Sequence, residues 1–134
     1  MAGFNFAKFN KERLFDIDTS DFEYTNLEEL YNANGANYVY ELRGLYIGNK
    51  SLYDPEAPMV ATDQEYVNIP VHQLPEIKQM LADKLAIREI NEGNAGFVIE
   101  SFYQKRFKKT CYVARWGNLS ELKAEAAEKE GLTD

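Results

Sequence analysis

The chain has 134 residues, a formal net charge of −7, one His and one Cys. That length suits one domain able to bury a core without disulfides or a metal; a lone Cys excludes an intramolecular disulfide and fits a reducing compartment; one His and one Cys are too few for a structural zinc. The negative total argues against nucleic acid or anionic membrane binding over the whole surface, while leaving room for a local basic site. No apolar run approaches the roughly 18 residues of a membrane span. The opening MAGFNFAKFNKERLF has no apolar core or cleavage pattern of a secretion signal. The expectation is a cytoplasmic protein with no membrane partner, and the sequons at Asn49 and Asn118 are chance matches.

Taken in order, residues 1–12 alternate Phe4, Phe6 and Phe9 with polar residues, as a flexible arm or an aromatic docking arm would. Asp16, Asp18, Ser20 and Asp21 imitate the start of a calcium loop, but Asp21 stands where Gly is needed and Leu27 where Glu is needed, which favours a solvated turn. Asn26 is placed to cap a short helix over residues 27–32, with Glu28 and Glu29 in its first turn and Gly35 to end it. Residues 37–48, NYVYELRGLYIG, read as one strand. Tyr38, Tyr40, Leu42 and Tyr46 lie on one side and Val39, Glu41, Arg43, Leu45 and Ile47 on the other. Gly44 marks a bulge or a close approach. After a connecting loop, strands are expected over residues 59–62 and 66–69, the second stopped by Pro70.

Pro75 opens a helix running to about Lys84 with Ile77, Met80 and Leu81 inward, and a second turn of helix covers residues 86–91. Residues 95–116, AGFVIESFYQKRFKKTCYVARW, then read as a β-hairpin. A two-residue turn at Lys108-Lys109 would force both into the left-handed region, so the loop is expected to be Arg106-Phe107-Lys108-Lys109. That register sets Lys105 opposite Thr110, Tyr103 opposite Tyr112, Glu100 opposite Arg115 and Ile99 opposite Trp116. One face collects Phe97, Ile99, Tyr103, Tyr112, Ala114 and Trp116; the other carries Val98, Glu100, Phe102, Cys111, Val113 and Arg115. With Lys105, Arg106, Lys108, Lys109 and Arg115 against Glu100 alone, the hairpin is the positive part of an acidic chain. A final helix runs from Asn118 to about Lys129, with Leu119, Leu122 and the alanines as its apolar side. The fold class is therefore α+β: one domain over residues 1–134, a mainly antiparallel sheet of about five or six strands with helices on one face, and a C-terminal helix.

No phosphate loop, dinucleotide fingerprint or nucleophile elbow is present. Cys111 and His72 form the one available thiol–imidazole pair, and nothing in the pattern fixes their geometry. The expectation is a non-enzymatic protein without a cofactor or metal. Cations interleaved with rings are what single-stranded nucleic acid needs, since cations follow phosphates while rings stack on bases. The candidate set is Lys105, Arg106, Lys108, Lys109 and Arg115 for phosphates, with Tyr103, Tyr112, Trp116, Tyr38 and Tyr40 as stacking rings. The same rings would equally serve as core beneath helices, and the same tip as a solubilising edge. Two further partners fit the pattern. An acidic surface on residues 16–29 and on the last helix could imitate nucleic acid toward a protein partner, and Tyr-rich strand edges could form a homodimer. The segments YVYELRGLYIGNKS, VNIPVHQLPEIKQML and AGFVIESFYQKRFKKTCYVARW together resemble small accessory proteins of bacterial phages and conjugative elements. That resemblance implies a setting in mobile-element DNA maintenance or interference with a host factor, and no residue roles.

Overall fold

A computed structural model of the chain describes residue 15 and residues 17–48 and 56–132. In chain order these form β1 (Tyr24–Asn26), α1 (Leu27–Asn34), β2 (Val39–Glu41), β3 (Gly44–Gly48), β4 (Ala57–Ala61) and β5 (Tyr66–Asn68). A 3-10 turn (Val71–Gln73) leads to α2 (Leu74–Leu81), α3 (Lys84–Asn91), β6 (Ala95–Gln104), β7 (Lys109–Asn118) and α4 (Leu119–Leu132). This is the expected α+β domain with a C-terminal helix. The expected arm at residues 1–12 and Asp16 of the acidic turn lie outside the described residues.

The strands divide between two sheets, β1-β5-β4-β3 and β2-β6-β7. All neighbours are antiparallel except β1 and β5, which run parallel. The division falls inside the segment expected to be one strand. Leu42 N–H donates to the Ala95 carbonyl at 3.0 Å, and the next amide, Arg43 N–H, donates to the Ala61 carbonyl at 2.8 Å. Consecutive amides of a strand point to opposite sides, so each of these two serves a different sheet. Leu42 and Leu45 on either side of the crossing are buried in a core shared with Val60, Val67, Ile77 and Phe97.

Local signals set the helix ends. Asn26 accepts from Glu29 N–H at 2.9 Å, and Gly35, at φ 87°, closes α1 in a conformation that an L side chain resists. Asp83 caps α3 by accepting from Leu85 N–H at 2.9 Å, starting that helix two residues earlier than the apolar spacing suggested. Leu27 and Leu30 of α1 turn into the core.

The hairpin forms with a register two residues away from the expected one. Gln104 pairs with Lys109, Tyr103 with Thr110, Ser101 with Tyr112, Ile99 with Ala114 and Phe97 with Trp116. The loop is Lys105-Arg106-Phe107-Lys108, with Lys108 N–H donating to the Lys105 carbonyl at 3.3 Å and Lys108 itself at φ 51°. One lysine thus accepts the left-handed conformation, at a cost of roughly 1–2 kcal/mol. The ring of Phe107 makes two cation–π contacts beside it, 5.5 Å from Arg106 Cζ and 6.0 Å from Lys109 Nζ. A slip of two preserves face parity, so both expected faces survive although every expected pair changes.

The two faces of the second sheet are closed differently. Phe97, Ile99 and Ala114 enter the main core beneath α1. On the opposite face α4 lies against the cross-strand pair Gly96 and Gly117. A Cβ on Gly96 would meet Leu119 Cδ1 at 2.8 Å and the Tyr40 carbonyl at 2.7 Å, and one on Gly117 would meet Leu122 Cδ2 at 3.0 Å. Only bare backbone lets the helix come this close, and Leu122 is buried as a result.

Candidate nucleic-acid interface at the hairpin end

The candidate residues separate into two groups. Tyr40 is 6% exposed: its ring stacks on Phe97 at 5.1 Å, its hydroxyl donates to the Leu30 carbonyl at 3.2 Å and accepts from Asn34 Nδ2 at 3.0 Å. Burial pushes its phenol pKa up, partly opposed by the Asn34 bond. It is a core residue and offers no ring to a ligand. Trp116 is half-buried, edge-on to Phe97 at 5.6 Å, and donates through Nε1 to Glu76 Oε1 at 3.2 Å. Tyr112 is half-buried against Tyr31, at 5.4 Å between ring centres. Arg115 is held by carboxylates, with Glu125 Oε2 at 2.9 Å and Glu100 Oε1 at 3.7 Å. Helices α1 and α4 thus absorb much of the expected platform. Tyr38 remains 47% exposed, beside Val39, whose partner Val98 lies in the middle of β6 and short of the hairpin loop.

The other group gathers at the loop. Lys105, Arg106, Lys108 and Lys109 are all exposed, and none forms an ion pair with a described residue. Tyr103 is 61% and Phe107 58% exposed, with Phe102 also open. Phe107, the apex ring, was not among the residues expected to stack. Its place between Arg106 and Lys109 in the sequence was the signal that it would sit among the cations.

A groove of about 830 Å³ lies at the foot of this cluster, between the distal part of β7 and the ends of β1 and β5. Leu27, Ile69, Phe102 and Phe107 give it apolar walls, while Asn26, Asn68, Gln104 and Thr110 supply polar groups. His72 and Cys111 both line it, yet the Cys111 thiol donates to Gln104 Oε1 at 3.3 Å, and no hydrogen bond among the described residues joins the two. Groups of three or more His, Cys, Asp or Glu arranged to hold a metal are absent among the described residues.

Gln73 sets the boundary between the closed and open lengths of β7. Its side chain is 3% exposed, donates through Nε2 to the Ala114 carbonyl at 2.8 Å and accepts from Ala114 N–H at 3.0 Å. The carboxamide thus takes the place of a neighbouring strand at one residue of the β7 edge. Sequence reading passed over it, because a Gln in a strand-to-helix connection carries no pattern of its own.

Comparison with family models, with curated proteins and with solved structures finds no match to this chain. Among the described residues no helix is long and apolar enough to cross a membrane.

Proposed function

We propose that this chain is a non-catalytic binding module that takes single-stranded DNA at the end of its β6–β7 hairpin. The observation that carries the reading is four exposed cations with no ion pair among the described residues, on and beside a loop where Tyr103 and Phe107 are also exposed and where Arg106 and Lys109 lie over the Phe107 ring. Phosphates would lie along Lys105, Arg106, Lys108 and Lys109, and unstacked bases against the two rings, a contact worth roughly 1–3 kcal/mol per stacked base. Arg115, Tyr40 and Trp116 support the sheet and stand outside the contact surface. The acidic body around the tip repels a polyanion, which confines binding to the hairpin end and favours short strands over duplex. The lone Cys accords with a cytoplasmic setting, and the resemblance to accessory proteins of phages and conjugative elements would place the activity in mobile-element DNA maintenance.

The test is fluorescence anisotropy with a labelled oligothymidylate at increasing salt. Wild type should bind at low salt, with affinity falling by a slope of roughly 0.7 per phosphate contact. The triple variant Lys105→Glu/Arg106→Glu/Lys108→Glu should lose binding while its unfolding midpoint stays unchanged. Wild type without affinity at low salt would overturn the reading.

A further inference from the structure

The register and the Gln73 clamp together define what the β7 edge offers. Residues 95 and 97 of β6 point their backbone groups toward β2, as the bond from Leu42 N–H to the Ala95 carbonyl shows. By alternation the even-numbered residues of β6 face β7, and their odd-numbered partners on β7 face back. The even-numbered residues of β7 therefore present N–H and C=O outward. Ala114 is one of them, and Gln73 satisfies both its groups. Thr110 and Tyr112 are the next two toward the loop. Their outward backbone groups have no hydrogen-bond partner among the described residues, and both residues line the groove.

We infer that this short edge reads a nucleobase, pairing the outward N–H and C=O of Thr110 or Tyr112 with the adjacent C=O and N–H of a lactam base: thymine, uracil or guanine. The inference rests on the single-stranded DNA reading above and adds which bases the site takes. Gln73 shows the required geometry within the protein, because its carboxamide carries the same C=O and N–H side by side and meets both groups of Ala114 at 2.8 and 3.0 Å. The neighbouring positions repeat that donor and acceptor pair. A base seated there has Phe102 and Phe107 for its apolar surface, and Lys109 lines the same groove for the attached phosphate. Glu28, also on the groove wall, directs phosphates away from α1 and toward the loop.

An added peptide strand fits less well. Between the loop and the clamp only Thr110 and Tyr112 are open, too short a run for the ladder that gives strand addition its affinity. A second copy pairing through the same edge would have to seat its own loop against the 3-10 turn that carries Gln73.

The closing experiment uses wild-type protein and compares three strands of equal phosphate number: oligothymidylate, the same strand with N3-methylthymine, and an abasic strand. Methylation removes the N–H donor while leaving a stackable ring. The expected result is a loss of about three- to tenfold on methylation, the worth of one or two hydrogen bonds, with the abasic strand weaker still. Thr110→Pro and Tyr112→Pro remove outward N–H groups that the β6–β7 ladder does not use. Tested separately and each checked for a native unfolding midpoint, at least one should show reduced preference for thymine over N3-methylthymine. Equal affinity for the methylated and unmethylated strands, with binding present, overturns base reading and leaves the single-stranded DNA proposal standing. Binding of none of the three at low salt overturns both. A polyglutamate peptide that competes as well as oligothymidylate shows that charge alone is read, which also overturns the inference.

Discussion

The two ends of the same hairpin make the most informative comparison in the molecule. Near Phe97 and Trp116 both sheet faces are covered, Gly96 and Gly117 admit a helix at contact distance, and Arg115 is neutralised by Glu100 and Glu125. Beyond Ala114 the strands run on into solvent with exposed rings and four cations that lack carboxylate partners among the described residues. Both lengths carry rings and cations, Phe97, Trp116 and Arg115 at the closed end and Tyr103, Phe107 and the four loop cations at the open one. Coverage by α1 and α4 decides which rings become core and which remain open. A residue-type pattern therefore identifies a hairpin and its faces, while the neighbouring helices determine how much of it can meet a ligand.

Substitutions can break this contrast, beginning with the closed end. Gly96→Ala places a methyl group against backbone and Leu119, and should destabilise the fold by about 2–3 kcal/mol, as overpacking in a tight core does. Urea unfolding checks it, and a change under ~0.5 kcal/mol would mean that α4 is free to move aside. Next is the boundary. Gln73→Leu strips two partners from Ala114 and should cost about 1–3 kcal/mol, since a desolvated donor and acceptor are left unmade. The oligonucleotide affinity of a variant still folded should be unchanged, because the clamp lies outside the proposed contact surface.

The smallest effect is electrostatic and also belongs to the closed end. Burial, and then Asp63, Glu23 and Glu29 nearby, hold the Glu65 carboxyl above its ordinary value of 4.5. In the pH range between the ordinary and the raised value the native state keeps a proton that the unfolded chain has lost. Stability should therefore fall as pH rises through that range, with the full penalty present above it. Glu65→Gln should flatten this part of the stability profile, measured by urea midpoints across acidic pH, and an unaltered slope would place its origin elsewhere.

Much of this architecture was legible in the residues, for local reasons. Asn26 and Gly35 bracket α1 because capping is a short-range matter, and the hairpin faces follow from alternation that survives a two-residue slip. The crossing at Leu42 and Arg43 was hidden, since alternation continues across it and only the partners change. β1 was hidden too: three residues, Tyr24–Asn26, are too few for a period, and their pairing with β5 is long-range. The exposure of each ring could not be read, because Tyr40 and Tyr103 look alike until the helices are placed. Gln73 was the hardest, since its role depends on a contact with a strand 41 positions away.

The crossing itself has a mechanical consequence. Neighbouring peptide groups at Leu42 and Arg43 are tied to separate sheets, so swinging one sheet away from the other must strain both ties within a single residue step. No slack linker lies between them to serve as a hinge. The two sheets are thus bound to yield together, and the core they share opens in one cooperative event while the hairpin end stays free to bend on its own.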